Sequence, residues 1–149
     1  MSKPILNLGH AHHPNQKGKM LELLAKGICP FCDKYLEQYH DEPIEIRGQY
    51  WVVTKNDYPY EGSRVHYLFI HRDHIIGPEE ISPQAMIELL ALWNRINKEH
   101  QLPGGALVWR FGDTDYTGGS VDHLHVHLVV GGSRQKDKEV LSAYIGYRI

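Results

Sequence analysis

The sequence predicts an α+β domain: a mostly antiparallel five-stranded sheet, one long helix and short terminal helices. Short alternating apolar runs, rich in aromatic and β-branched residues and separated by turn residues, recur between positions 44 and 130. A single long helical pattern stands between the third and fourth of these runs. Strict strand–helix alternation, the mark of a parallel sheet, is missing. The 149 residues suit one domain with its own core. Residues 1–15 read as a flexible N-terminal arm and 16–149 as the single domain.

The arm "MSKPILNLGHAHHPN" holds Pro, Gly and Asn without periodicity; its His10, His12 and His13 are metal candidates set against a plain polar terminus. Met20, Leu23, Leu24 and Ile28 then fall at helical spacing, predicting a short helix up to Gly27. "CPFCDKYLEQY" reads as a turn into another short helix. "PIEIRGQYWVVT" reads as a β-hairpin, with Ile44 and Ile46 before an Arg47-Gly48-Gln49 turn and Tyr50 to Thr54 after it. "NDYPYEGS" is a loop, and "RVHYLFIHRDH" a third strand. Ser82 caps the long helix, Pro83 takes its first position, and Met86, Leu89, Leu90 and Trp93 form its apolar stripe, ending near His100. "ALVWRFG" is the fourth strand and residues 121–130 the fifth. The tail "KEVLSAYIGYRI" reads as a short helix with an extended end.

Hydrophobic residues make 42% and charged residues 23%, values ordinary for a globular protein. A formal net charge of −2 speaks against broad nucleic-acid binding, and no specific nucleic acid is expected. No run approaches the ~20 apolar residues of a membrane span, and no signal-peptide pattern is recognised. The two cysteines lie too close together to staple a secreted fold. The expectation is a cytoplasmic protein without a membrane partner. Neither a G-x-G-x-x-G nor a Walker loop is present.

The most telling stretch is "GGSVDHLHVHLVVGG", with His123, His125 and His127 at alternate positions. A strand turns residues i, i+2 and i+4 to one face, so the imidazoles form a row with neighbours ~7 Å apart. Leu124, Val126, Leu128 and Val130 face the other way, toward a core. Desolvating three titratable rings without use is costly. Two chemistries fit: several imidazoles converging on one metal ion, or one neutral imidazole attacking while its neighbours orient it and stabilise charge. The small polar stretch Thr117-Gly118-Gly119-Ser120 leaves backbone N–H groups for anionic oxygens, which favours phosphate chemistry.

The alternation from Ser120 through His123, His125 and His127 resembles the signature of the histidine triad (HIT) superfamily. "NDYPYEGSRVHYLFIHRDH" resembles that family's loop–strand segment, with a short insertion near 61–64, and "CPFC" resembles the Cys-x-x-Cys of zinc-bearing members. Together these cover roughly residues 29–130. Two positions depart from the family pattern: Gly119 stands where many members have Gln, and Arg110 where many have Asn two residues before a Gly. Arg110 is either a bidentate phosphate clamp or a solvated strand residue.

The resemblance implies a HIT-like fold and a nucleotide hydrolase or nucleotidyl transferase acting at the α-phosphate. Dinucleoside polyphosphates or nucleoside phosphoramidates are the substrate types. His125 would be the nucleophile, His127 and Ser120 its catalytic partners, and Asn56, Asp57, Arg110, Gly118 and Gly119 substrate-binding. Tyr58, Pro59, Trp51 and Val53 are candidates for the base pocket or for core. Cys29, Cys32, His74 and His123 would hold a structural zinc, and a homodimer through the sheet edge or long helix is implied. Two rival readings remain. One is a non-enzymatic, zinc-stabilised nucleotide-binding module. The other is a thiol–disulfide oxidoreductase, because Cys-Pro-Phe-Cys also resembles a glutaredoxin site.

Overall fold

The computed structural model describes residues 6–10, 13–136 and 138–149. Its helices are α1 (Pro14–Lys26), α2 (Asp33–Tyr39), α3 (Pro83–Glu99) and the single turn α4 (Thr114–Thr117). The strands are β1 (Ile44–Arg47), β2 (Trp51–Lys55), β3 (Val65–His71), β4 (Ala106–Trp109) and β5 (His125–Val130). They form one sheet in the order β1-β2-β3-β5-β4. Every neighbouring pair is antiparallel, the α+β architecture expected. Among the described residues, no helix is long and apolar enough to cross a membrane.

The sheet separates two environments. On one face Trp51, Val53, Phe69, Leu124, Val126 and Leu128 pack against Ala85, Leu89, Leu92 and Ile96 of α3. The apolar partners of the histidine row thus enter the main core. On the other face Val52, Leu68 and Ile70 pack against Leu36 of α2. Met20 and Leu23 of α1 close over Leu6, beside Val121. The alternation that buries Val126 beneath α3 turns His125 and His127 toward the α1/α2 side.

Local signals account for most boundaries. Ser82 Oγ accepts from the Ala85 amide at 3.1 Å, capping α3 as expected. Gly27 closes α1 at φ +64°, and the Ile28 amide donates back to the Leu23 carbonyl at 3.0 Å. In the β1–β2 turn, the Glu88 carboxylate on α3 accepts from the amides of Gln49, Tyr50 and Trp51 at 2.7, 2.7 and 2.9 Å. A Cβ at Gly48 would lie 2.7 Å from Glu88 Oε2, so a larger residue there would have to displace this carboxylate.

Some expectations need correction. The buried stripe of α3 runs through Ala85, Leu89, Leu92 and Ile96, while Met86 and Leu90 are exposed. The Trp51 indole donates to the Ala85 carbonyl at 2.7 Å, drawing that small residue against the sheet. In the segment read as an arm, Leu6 is buried and bridges Val121, and α1 already starts at Pro14. The His13 ring accepts from the Asn15 amide and caps α1; His12 and the His10 side chain lie outside the described residues. The tail forms no helix over 138–149. Val140 and Ile145 there are 91% and 82% exposed, so no apolar face is buried to support one. Strand β5 begins only at His125. Before it, Leu124 exchanges backbone bonds with Ile75 and His71, which detaches His123 from the row.

Candidate active site and metal cluster

The three histidines of the row are not equivalent. His123 precedes β5 and turns Nε2 to the His71 carbonyl, 2.6 Å away. A carbonyl only accepts, so the ring proton sits on Nε2 and the Nδ1 lone pair points away. It points at Cys29 Sγ (3.5 Å), Cys32 Sγ (3.8 Å) and His74 Nδ1 (3.2 Å). Cys32 Sγ lies 3.3 Å from His74 Nδ1, and all four atoms fall within 4.8 Å of one another.

A tetrahedral site with bonds of ~2.0–2.3 Å has ligand–ligand edges of about 3.3–3.8 Å. The donor set therefore fits a structural zinc in both type and spacing. Burial pushes the His123 ring down to about 3, against the His71 carbonyl, and keeps it a neutral ligand at pH 7. Burial also pushes the Cys29 thiol up to about 12. That direction is opposite to the low pKa a redox-active thiol needs, and it disfavours the oxidoreductase reading.

His125 opens β5 with its ring buried. Its Nδ1 donates to the His123 carbonyl at 2.6 Å, which leaves the Nε2 lone pair for chemistry. Burial pushes its pKa down to about 4; the carbonyl opposes this and the Arg110 charge adds to it. The ring is an unprotonated base at neutral pH. Phe31 stands edge-on to it, centroids 4.9 Å apart.

His127 is held from both sides. The Tyr60 amide donates to His66 Nδ1 at 3.0 Å, and Asn56 Nδ2 lies 3.1 Å from His66 Nε2. His66 Nε2 lies 2.8 Å from His127 Nδ1. Arg110 Nη1 donates to His127 Nε2 at 3.1 Å, so that nitrogen carries the ring's lone pair. The guanidinium beside the ring offers an anionic oxygen a charged donor. Arg110 also donates through Nη2 to Tyr60 Oη at 2.8 Å, and through Nε and Nη2 to the Tyr144 carbonyl at 2.8 and 2.6 Å. It is a gripped side chain rather than a solvated strand residue.

The cavity between α1 and this face is lined by Asn56, Asp57, Tyr58, Tyr60, Arg110, Gly118, Gly119, Ser120, His125 and His127. The structure thus brings the expected catalytic and substrate-binding residues together. Asp57 accepts from the amides of Asp41 and Glu42, with His40 Nδ1 3.3 Å from its carboxylate. These partners outweigh the burial cost and hold its carboxyl at about 2. Asn56 Oδ1 accepts from the Tyr58 amide at 2.9 Å.

The geometry corrects two expectations. Trp51 and Val53 belong to the α3 core rather than a base pocket, since they alternate to the opposite face. The Gly119 amide donates to Thr117 Oγ1 at 3.1 Å, so the loop offers fewer waiting donors than its composition implied. A Cβ at Gly119 would lie 3.3 Å from Arg110 Cδ, which shows that the two departures from the family pattern are neighbours. His66 was the residue most open to being found: it alternates with Leu68 and Ile70 on the histidine face of β3. Tyr144 gave no signal, because it acts through a backbone carbonyl.

A five-stranded antiparallel sheet with this histidine alternation on a strand beside its centre is a HIT-like fold, and likeness to solved histidine triad structures supports a HIT superfamily assignment. No protein-family model and no curated protein matches its sequence. Among solved structures it is similar to a HIT family hydrolase from Clostridium thermocellum, at 26% identity and TM-score 0.57, over 75% of this chain and 96% of that one. It is also similar to a zinc-bound histidine triad family protein from Mycobacterium smegmatis, at 20% identity and TM-score 0.55, over 78% and 81%. A histidine triad nucleotide-binding protein from Candida albicans aligns at 17% identity and TM-score 0.56, over 76% and 87%.

Proposed function

We propose that the protein is a nucleotide hydrolase or nucleotidyl transferase that breaks a bond at the α-phosphate through a nucleotide held covalently on His125. The observation that carries this reading is the bare Nε2 of His125, fixed by the hydrogen bond its Nδ1 donates to the His123 carbonyl. The His127 ring, held by the Arg110 guanidinium, lies 4.9 Å away between centroids. The similar protein from Clostridium thermocellum is a HIT family hydrolase, which agrees with it.

In the first step His125 Nε2 attacks phosphorus, and the bond to the leaving group breaks with its electron pair. The leaving oxygen or nitrogen takes a proton relayed by Ser120 and His127. The positive charge that develops on His125 is shared through Nδ1–H with the His123 carbonyl. Water or phosphate then attacks, gives its proton to His127, and frees the imidazole. Arg110 and Ser120 bind the non-bridging and bridging oxygens. Asn56 and Asp57 stand where ribose hydroxyls would bind. Gly118 and Gly119 keep side chains out of the phosphate path.

Zinc, when bound by Cys29, Cys32, His74 and His123, supplies a fixed cross-link among the N-terminal segment, the end of β3 and the start of β5. The homodimer belongs to the same proposal: β4 is an edge strand, and Ile87 and Leu90 on α3 are 69% and 54% exposed. Sedimentation equilibrium measures it directly.

A panel of dinucleoside polyphosphates, nucleoside phosphoramidates and adenylyl sulfate, assayed with and without phosphate, tests the function. Release of a nucleoside monophosphate or diphosphate by wild type and not by His125→Ala is expected. Binding of nucleotides with no turnover of any panel member would instead support a binding module.

A further inference from the structure

Helix α1 walls the proposed active site with more than apolar groups. Gln16, Lys19, Met20 and Leu23, at i, i+3, i+4 and i+7, all line the cavity. Met20 and Leu23 are core residues, and Lys19 is explained by Asp41 and Asp57, with its Nζ 3.4 and 3.6 Å from their carboxylates. Gln16 instead reaches across the cavity, and its Nε2 donates to Ser120 Oγ at 3.5 Å, 104 positions along the chain.

Little else in the 117–120 loop can orient the Ser120 hydroxyl, because Gly118 and Gly119 carry no side chains. The N-terminal segment holds the same residue a second time, through the Asn7 amide and the Ser120 carbonyl at 2.9 Å. A serine hydroxyl has one proton. When Oγ accepts from Gln16, that proton turns away from α1 and into the cavity, where His125 and His127 lie.

We propose that Gln16 is a positioning residue for the phosphate chemistry: its carboxamide fixes the Ser120 rotamer and aims the hydroxyl proton at a substrate oxygen. The inference rests on the function proposed above. It makes α1 part of the machinery and gives its first turn a polarity requirement. A glutamate of nearly the same shape would accept from Ser120, draw the proton out of the cavity and set a negative charge beside the phosphate.

The test is a double-mutant cycle with Gln16→Ala, Ser120→Ala and the double variant, plus Gln16→Glu, on the best substrate of the panel. Gln16→Ala is expected to lower kcat about fivefold, the scale of one neutral hydrogen bond, with KM little changed. Gln16→Glu should be worse than alanine despite its shape. In the Ser120→Ala background, removing Gln16 should cost nothing more. Melting temperatures should stay within a few degrees of wild type, because Gln16 is half-exposed. Additive losses, or a glutamate variant as active as wild type, would overturn the role of Gln16 and leave the enzyme reading standing. A wild-type protein that turns over no nucleotide and binds no AMP by calorimetry would overturn both.

Discussion

At the scale of single residues, the site is governed by how its histidine rings are held. His123 and His125 each spend one nitrogen on a backbone carbonyl, which fixes the direction of the other lone pair. His127 is held between His66 on one side and the Arg110 guanidinium on the other. Replacing His125 with alanine should abolish turnover, a loss of at least ~10³-fold, while AMP binding changes little, because only the attacking atom is removed. Steady-state kinetics beside calorimetry measures both; equal loss of binding would make His125 a ligand contact only. His66 yields a stability prediction. Burial first, then the charges of Arg110 and His125, push its pKa down from 6.5 to about 4. Between those values the unfolded chain binds a proton that the folded chain refuses, so stability falls as pH drops through this window and is unaffected above it. The contribution is roughly 3 kcal/mol. His66→Gln should therefore flatten the acid limb of melting temperature against pH, and an unchanged limb would contradict the buried neutral assignment.

At the scale of elements, the joints matter more than the strands. The Cys29–Cys32 turn, the loop after β3 and the approach to β5 meet at four donor atoms. Cys29→Ser or Cys32→Ser should release zinc and lower the melting temperature far more than an exposed substitution does, because metal affinity is folding energy. Metal analysis of protein purified without chelator, together with melting curves, would contradict this if it found no zinc and unchanged melting. The β1–β2 turn depends on α3 through Glu88, which satisfies three backbone amides at once. Glu88→Ala should cost about 2 kcal/mol in urea unfolding, while Glu79→Ala on the exposed surface should cost little. Elements announced by local chemistry were legible in the sequence: the Ser82-Pro83 start, Gly27 as the stop of α1, the hairpin around Gly48. The phase of the α3 stripe was not, since the Trp51–Ala85 bond sets it from another element. The α4 turn was too short to show a period, and the tail has apolar residues but no face to bury.

At the scale of the whole molecule, the sheet divides the labour: α3 supplies the core on one side, and the N-terminal helices roof the chemistry on the other. Residues close in sequence, such as the histidine row, Ser120 and the cysteine pair, were readable as site candidates. Contacts spanning 34 positions, from Arg110 to Tyr144, or 104, from Gln16 to Ser120, were not, because only the completed fold creates them. The central claim is that this arrangement makes one imidazole a nucleophile. Rapid mixing of the protein with a nucleotide labelled at the α-phosphate, followed by an alkaline quench and peptide mapping, tests it most directly. The account predicts a transient label, stable to base and labile to acid, on the peptide holding 123–127, and none there in His125→Ala. Product accumulating through many turnovers, with no protein-bound label at any time, would show direct displacement by water and contradict it.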